Sequence, residues 1–150
     1  IDATEWVAPY NDLALGLHEV AQYYYYPGWH EPGSTLEVIV NKQAYESLPQ
    51  DLQAMVRASA TFANQDMLDE YTARNNAALK DMIDNHGVQL RRLPDDVLRK
   101  LKQSSEIVLD EYAKSDPMTA KVYQSFKAFK ESVTQYHHIS EQAYINARDL

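Results

Sequence analysis

The chain has no cysteine. Disulfide bridges, thiolate zinc sites and cysteine catalysis are thereby excluded, although the compartment stays open because many exported proteins also lack cysteine. Glycine is scarce, at 4 of 150 residues, and no glycine-rich phosphate loop is present. Positive charge is short as well. Lys and Arg number 14 against 22 Asp and Glu, a net charge of −8, which argues against a face that neutralises many phosphates and so against nucleic acid. No apolar run approaches the roughly 18–20 residues of a membrane-spanning helix. The chain opens Ile1-Asp2-Ala3 with neither an initiator Met nor a signal-peptide pattern, so it reads as a processed protein or a piece of a longer one.

What is present is globular. Hydrophobic residues make up 45% and charged residues 24%, enough for one ordinary domain with a real core. Seven of the ten Gly and Pro residues fall within the first 49 positions. The chain therefore divides into a turn-rich part of strands and short helices, residues 1–48, and a part of long helices, residues 49–150.

In the first part, Thr4-Glu5-Trp6-Val7 reads as a short strand or extended piece ending at Pro9. Asn11 or Asp12 is placed to cap a short helix through Leu13, Leu15 and Leu17. Tyr23 to Tyr26 reads as a strand, broken by Pro27-Gly28, and Pro32-Gly33 makes a second turn. The clearest strand signal is Thr35-Leu36-Glu37-Val38-Ile39-Val40, with apolar residues at alternate positions. A short helix around Tyr45 follows.

Beyond Pro49 the helical period dominates. Leu52, Met55, Val56, Ala63, Leu68, Tyr71, Leu79, Met82 and Ile83 form an approximate i, i+3, i+4 stripe, ended by Gly87. Val88-Gln89-Leu90-Arg91 is a possible short strand. Pro94, with Asp95 and Asp96, opens a second helix whose core face is Val97, Leu98, Leu101, Val108, Leu109 and Tyr112. The last helix opens at Ser115 or Asp116 with Pro117 at its first position. Its apolar row runs through Met118, Val122, Phe126, Phe129, Val133, Tyr136, Ala143 and Ala147. Unbroken to Leu150 it would measure roughly 50 Å, longer than the ~40 Å diameter of a compact chain of this size. It either overhangs its own domain and needs a partner, or breaks near His137-His138.

Chemistry-bearing motifs are few. His30-Glu31 begins like H-E-x-x-H, but position 34 is Ser, so the second zinc ligand is absent. His137 and His138 are adjacent and diverge on a helix, and His18 and His86 stand apart in the sequence. No nucleophile motif such as G-x-S-x-G frames a serine, so nothing points to an enzyme. Asn75 and Asn76 lie mid-helix near the apolar stripe, where a hydrogen bond to a neighbouring loop is the ordinary role. The tyrosine run reads as a strand with one buried face, with an aromatic carbohydrate platform as the alternative. Both tryptophans, Trp6 and Trp29, sit near acidic residues in the turn-rich part, around Glu5 and Glu31. Taken alone they are a weak sign of a ligand site.

These same residues carry a resemblance. Ile1-Asp2-Ala3-Thr4-Glu5-Trp6-Val7-Ala8-Pro9-Tyr10-Asn11-Asp12 and Tyr23-Tyr24-Tyr25-Tyr26-Pro27-Gly28-Trp29-His30-Glu31-Pro32-Gly33 resemble signature blocks of the solute-binding proteins of tripartite ATP-independent periplasmic (TRAP) transporters. The similarity is to the branch that binds 2-oxo acids and related carboxylates with a metal cation. It extends through Asn41-Lys42 and Leu48-Pro49 to Tyr144-Ile145-Asn146-Ala147-Arg148. The resemblance implies an α/β, two-lobed periplasmic-binding-protein-like fold. This chain would be its mostly helical C-terminal half, with a few short strands and a long last helix. It implies that Glu5 and Glu31 are carboxylate ligands of a Na⁺ or Ca²⁺ ion. Trp6 would offer the ion a backbone carbonyl and the substrate a ring wall, with Trp29 packed behind the block and also toward the substrate. Oxygen ligands suit hard cations, and a cation between two carboxylates removes their repulsion of an anionic substrate. The family's carboxylate-binding Arg and a further polar metal ligand would precede Ile1. Expected partners are a small organic acid, the membrane permease, and a second copy exchanging the final helix, in the periplasm. The rival reading is a helical protein-interaction module with no small-molecule site.

Overall fold

The computed structural model describes residues 2–34, 36–148 and 150. The chain forms two compact units, one ending at Leu93 and the other starting at Pro94.

In the first unit an extended segment over residues 2–6 bends at Val7 and enters helix α1, Pro9–Ala14. Pro9 lies at the first helical position rather than ending the extended piece, because its fixed φ and missing N–H suit that place. Neither Asn11 nor Asp12 is the capping residue; the cap position is Ala8, and Asp12 lies inside the helix. Of the short strand or extended piece expected over Thr4 to Val7, the strand does not form, because no ladder is made there. A turn of 3₁₀ helix, Leu17–Glu19, leads to strand β1, Tyr23–Tyr26. Helix α2, Lys42–Glu46, is capped by Asn41, whose side-chain oxygen accepts from the Ala44 N–H at 3.0 Å. Helix α3, Gln50–Asp84, is 35 residues long, and strand β2, Gln89–Arg92, follows one residue later than the sequence suggests. Gly87 makes the exit, with φ +70°, a left-handed conformation that side chains with a Cβ disfavour. The Val88 N–H bonds back to the Met82 carbonyl at 3.0 Å.

β1 and β2 pair in parallel, with Tyr23 opposite Gln89 and Tyr26 opposite Arg92. A parallel pair needs a long crossover, and α2 and α3 supply it. The core of the unit is small: Ala78, Met82 and Val88, with Asp12 as the buried charged residue. α1 rests on α3, where Tyr10 meets Tyr71 edge to face at 6.1 Å and the Arg74 guanidinium lies over the Tyr10 ring. Asn75 on α3 accepts the Tyr10 N–H at 3.0 Å, satisfying one of the donors that a helix start leaves unpaired. Asn75 thus plays the expected structural role, and Asn76 is exposed.

The strongest strand signal produces no strand. Residues 36–40 are exposed and outside any ladder, and Thr35 lies outside the described residues. β-propensity reports fit to a pleated, half-buried surface, and no described strand lies beside this segment to provide one. The stripe along α3 is likewise interrupted. Residues 61–70, with Ala63 and Leu68, are all exposed, because α1 reaches only the C-terminal part of the helix.

The second unit holds helices α4, Asp95–Tyr112, α5, Pro117–Ile139, and α6, Glu141–Arg148. The expected core face of α4 is not buried. Leu98 and Leu101 are half-buried, while Val97, Val108, Leu109 and Tyr112 are exposed. Partial desolvation, then a hydrogen bond to Asp110, raises the Tyr123 hydroxyl above its ordinary pKa and ties α5 to α4. The final helix breaks at Ser140, whose φ of −105° and ψ of −108° leave the helical region. Its hydroxyl donates to the Tyr136 carbonyl at 2.9 Å. Of the two expectations for this segment, the break is the one found. The row Met118, Val122, Phe126 and Phe129 stays exposed.

Asp116 caps α5, accepting the Met118 and Thr119 N–H groups at 2.8 and 3.0 Å. Hydrogen bonds from Thr119, its hydroxyl first, hold this carboxyl below its ordinary value of 3.8. A depressed carboxyl adds stability that is complete above the unfolded value and lost as the pH falls through the folded one. Helicity followed by circular dichroism from about pH 6 down to about pH 2 should therefore fall less in Asp116→Asn than in wild type. The Asn oxygen still caps but does not titrate, and equal acid loss in both proteins would contradict the assignment.

Candidate functional site

The two segments that carry the tryptophans meet beyond the carboxyl end of β1, through Glu5 and His30. The chain leaves that strand through a cis Tyr26–Pro27 peptide and a tight turn, in which the Trp29 N–H donates to the Pro27 carbonyl at 2.9 Å. Gly28 faces the Glu31 carbonyl oxygen in the same turn; a Cβ there would sit 3.7 Å from it. Trp29, His30 and Glu31 are thus displayed just beyond the strand end, where ligands of parallel α/β proteins commonly bind.

The other half of the site is the extended segment before α1. Its position is set by Asp12, which is only 5% exposed. One carboxylate oxygen accepts the Val7 N–H at 3.3 Å, and the other accepts the Tyr24 hydroxyl at 2.5 Å. Tyr24 is the half-buried residue of β1. Burial first, and then Asp12, pushes its hydroxyl well above the usual tyrosine range, so it stays a donor. The segment carrying Glu5 and Trp6 is thereby held against the strand that leads to Trp29.

Contact across the two halves runs through His30. Its Nε2 lies 3.5 Å from a Glu5 carboxylate oxygen, with both side chains about half exposed. The Trp29 and His30 rings are tilted at 5.7 Å. Glu31 accepts from the Ser34 hydroxyl at 2.9 Å. Trp6 is 54% exposed and Trp29 38% exposed. Glu5 and the block 29–31 are therefore brought together, while Trp6 and Trp29 present open ring surface. A histidine bridge was not legible. His30 lies 25 positions from Glu5 in the sequence, and a lone histidine carries no partner signal.

Among the described residues, no three His, Cys, Asp or Glu side chains converge on one point as a metal cage would require. The donor chemistry of Glu5, Glu31 and a Trp6 carbonyl fits a hard cation in kind. It does not fit in number, because Ca²⁺ takes about six to eight oxygens. The rest would come from substrate, water or chain outside these residues.

The tyrosine run forms the strand expected of it, β1, with Tyr24 turned to Asp12 and Tyr23 beneath the Arg91 guanidinium. One further sequence reading changes. His18 and His86 do not stand apart in space. Their rings are 4.2 Å apart, and His86 also lies 3.5 Å from Asp81.

Acidic and tryptophan-bearing segments are thus held side by side beyond the end of a parallel strand. Comparison with known proteins makes this specific. Residues 1–116 match the DctP family, bacterial extracellular solute-binding protein family 7, and the chain belongs to that family. It is similar to a monocarboxylate 2-oxoacid-binding periplasmic protein of Nostoc sp. (strain PCC 7120), with 38% identity over 146 residues, 97% of this chain and 40% of that protein. Among solved structures it is similar to a TRAP transporter solute-binding protein from Bordetella bronchiseptica RB50. That match has a TM-score of 0.92 at 34% identity, over 99% of this chain and 44% of the other. The neighbour is a mixed-occupancy dimer, with copurified calcium and picolinate in one active site and the other apo. This chain spans less than half the length of either relative.

The hydroxyl of Tyr24 yields a direct check. Phenolate absorbance of wild type and Tyr24→Phe should coincide near pH 10, the ordinary tyrosine value, and separate only at higher pH. A difference already present at pH 10 would show that Tyr24 titrates freely.

Proposed function

We propose that the chain is the C-terminal part of a periplasmic TRAP receptor that binds a small organic anion, a 2-oxo acid or related carboxylate, through a bridging Na⁺ or Ca²⁺ ion. The observation that carries this is the approach of Glu5 to the block 29–31 at the carboxyl end of β1. It gains support from the 2-oxoacid binding named for one relative and from the calcium and picolinate of the other. Glu5 and Glu31 are cation ligands, Trp6 lends its carbonyl and ring, and Trp29 forms part of the substrate wall. The cation lets two carboxylates and a carboxylate substrate share one place, which their mutual repulsion otherwise forbids. The protein is a receptor and not an enzyme, and the captured acid passes to the membrane permease.

The exposed apolar row of α5 supports a homodimer formed through the C-terminal helices. It equally suits the rival reading, a helical interaction module. That reading leaves the meeting of Glu5 with His30 without a purpose.

Two measurements test the proposal. Isothermal titration of residues 1–150 with pyruvate or lactate, plus Na⁺ or Ca²⁺, should show weak binding or none, since much of the ligand set lies outside them. Micromolar affinity would overturn that expectation. In the full-length receptor, Glu31→Gln should weaken cation-dependent anion binding by roughly tenfold or more, and unchanged affinity would remove Glu31 from the metal.

A further inference from the structure

We propose that Asp12 and Tyr24 are positioning residues for this site, which fix the Glu5–Trp6 segment against the turn that carries Trp29, His30 and Glu31. The inference rests on the reading of the site given above, but its geometry stands independently.

Asp12 lies four places into α1, and its carboxylate reaches back to the N–H of Val7, next to Trp6 and two residues from Glu5. That bond alone would tie the start of α1 to the segment before it. The second oxygen reaches further. It takes the Tyr24 hydroxyl across 12 residues, from a strand whose end lies three residues before Trp29. The two bonds therefore bypass the helix, the 3₁₀ turn and the loop between them. They link the two ligand-bearing segments through one buried side chain.

The choice of groups suits this task. A carboxylate taken out of water is costly unless its oxygens are hydrogen-bonded, so the arrangement strongly favours the geometry in which both donors are present. A tyrosine hydroxyl at the middle of a strand is rigid, and a binding constellation tolerates misplacement of only about 0.5 Å before function suffers. Neither Asp12 nor Tyr24 is exposed as a ligand residue would be, so they set where ligands stand without touching what is bound.

The test uses the full-length receptor, with pyruvate and Ca²⁺ as probes. Tyr24→Phe removes one oxygen and should lower the cation-dependent anion affinity by roughly tenfold or more, while accelerating hydrogen exchange at the Val7 amide. Tyr25→Phe, at the exposed next position of β1, should change neither. Asp12→Asn keeps an oxygen for Val7 and an NH₂ group that donates to Tyr24, so affinity should stay within about threefold of wild type, as expected of a role in position and not in charge. Unchanged affinity and unchanged Val7 exchange in Tyr24→Phe would overturn the proposal. So would a tenfold loss in Asp12→Asn, which also decides the matter should Tyr24→Phe not fold. If the wild-type receptor itself shows no cation-dependent binding, the functional reading fails, and exchange at Val7 alone then judges the positioning role.

Discussion

A carboxylate deprived of water must have its oxygens satisfied by protein, and the first unit is arranged around one that is. Asp12 draws in a backbone amide from one side and a tyrosine hydroxyl from the other. The amide belongs to the extended segment with Glu5 and Trp6. The hydroxyl belongs to the strand whose far end releases Trp29, His30 and Glu31. With α1 also held to α3 through Asn75, the segment before the helix, the helix and the strand become one framework. The small apolar core of Ala78, Met82 and Val88 lies at the same end of α3, so polar and apolar contacts reinforce each other there.

Legibility followed the range of the forces involved. Features set by near neighbours could be read directly. Tyr23 to Tyr26 formed a strand, Asp116 capped a helix, and Gly87 ended one. Features that need a distant partner could not. Leu36, Val38 and Val40 alternate as a strand should, yet a ladder requires a neighbour and none of the described strands is beside them. The same holds for Val108, Leu109 and Tyr112, which have helical spacing but no covering surface.

At the site the division is similar. Glu5, Trp6, Trp29 and Glu31 stand in motif blocks, and Glu5 and the block 29–31 do meet. The groups that make them meet carry no mark of that role. Asp12 read as a cap because an Asp near a helix start usually is one, and Tyr24 was one tyrosine of four. Nor does any local pattern announce that His30 bridges to Glu5 or that the His18 and His86 rings lie tilted against each other. The relatives it matches are more than twice as long.

The length of α3 sets a distance. The helix is held to α1 at Asn75, toward its C-terminal end. The span from Gln50 to Asn75 measures about 37 Å at the usual helical rise. That length separates the Gln50 end, with α2 before it, from the framework of Asp12, and residues 61–70 between them are exposed.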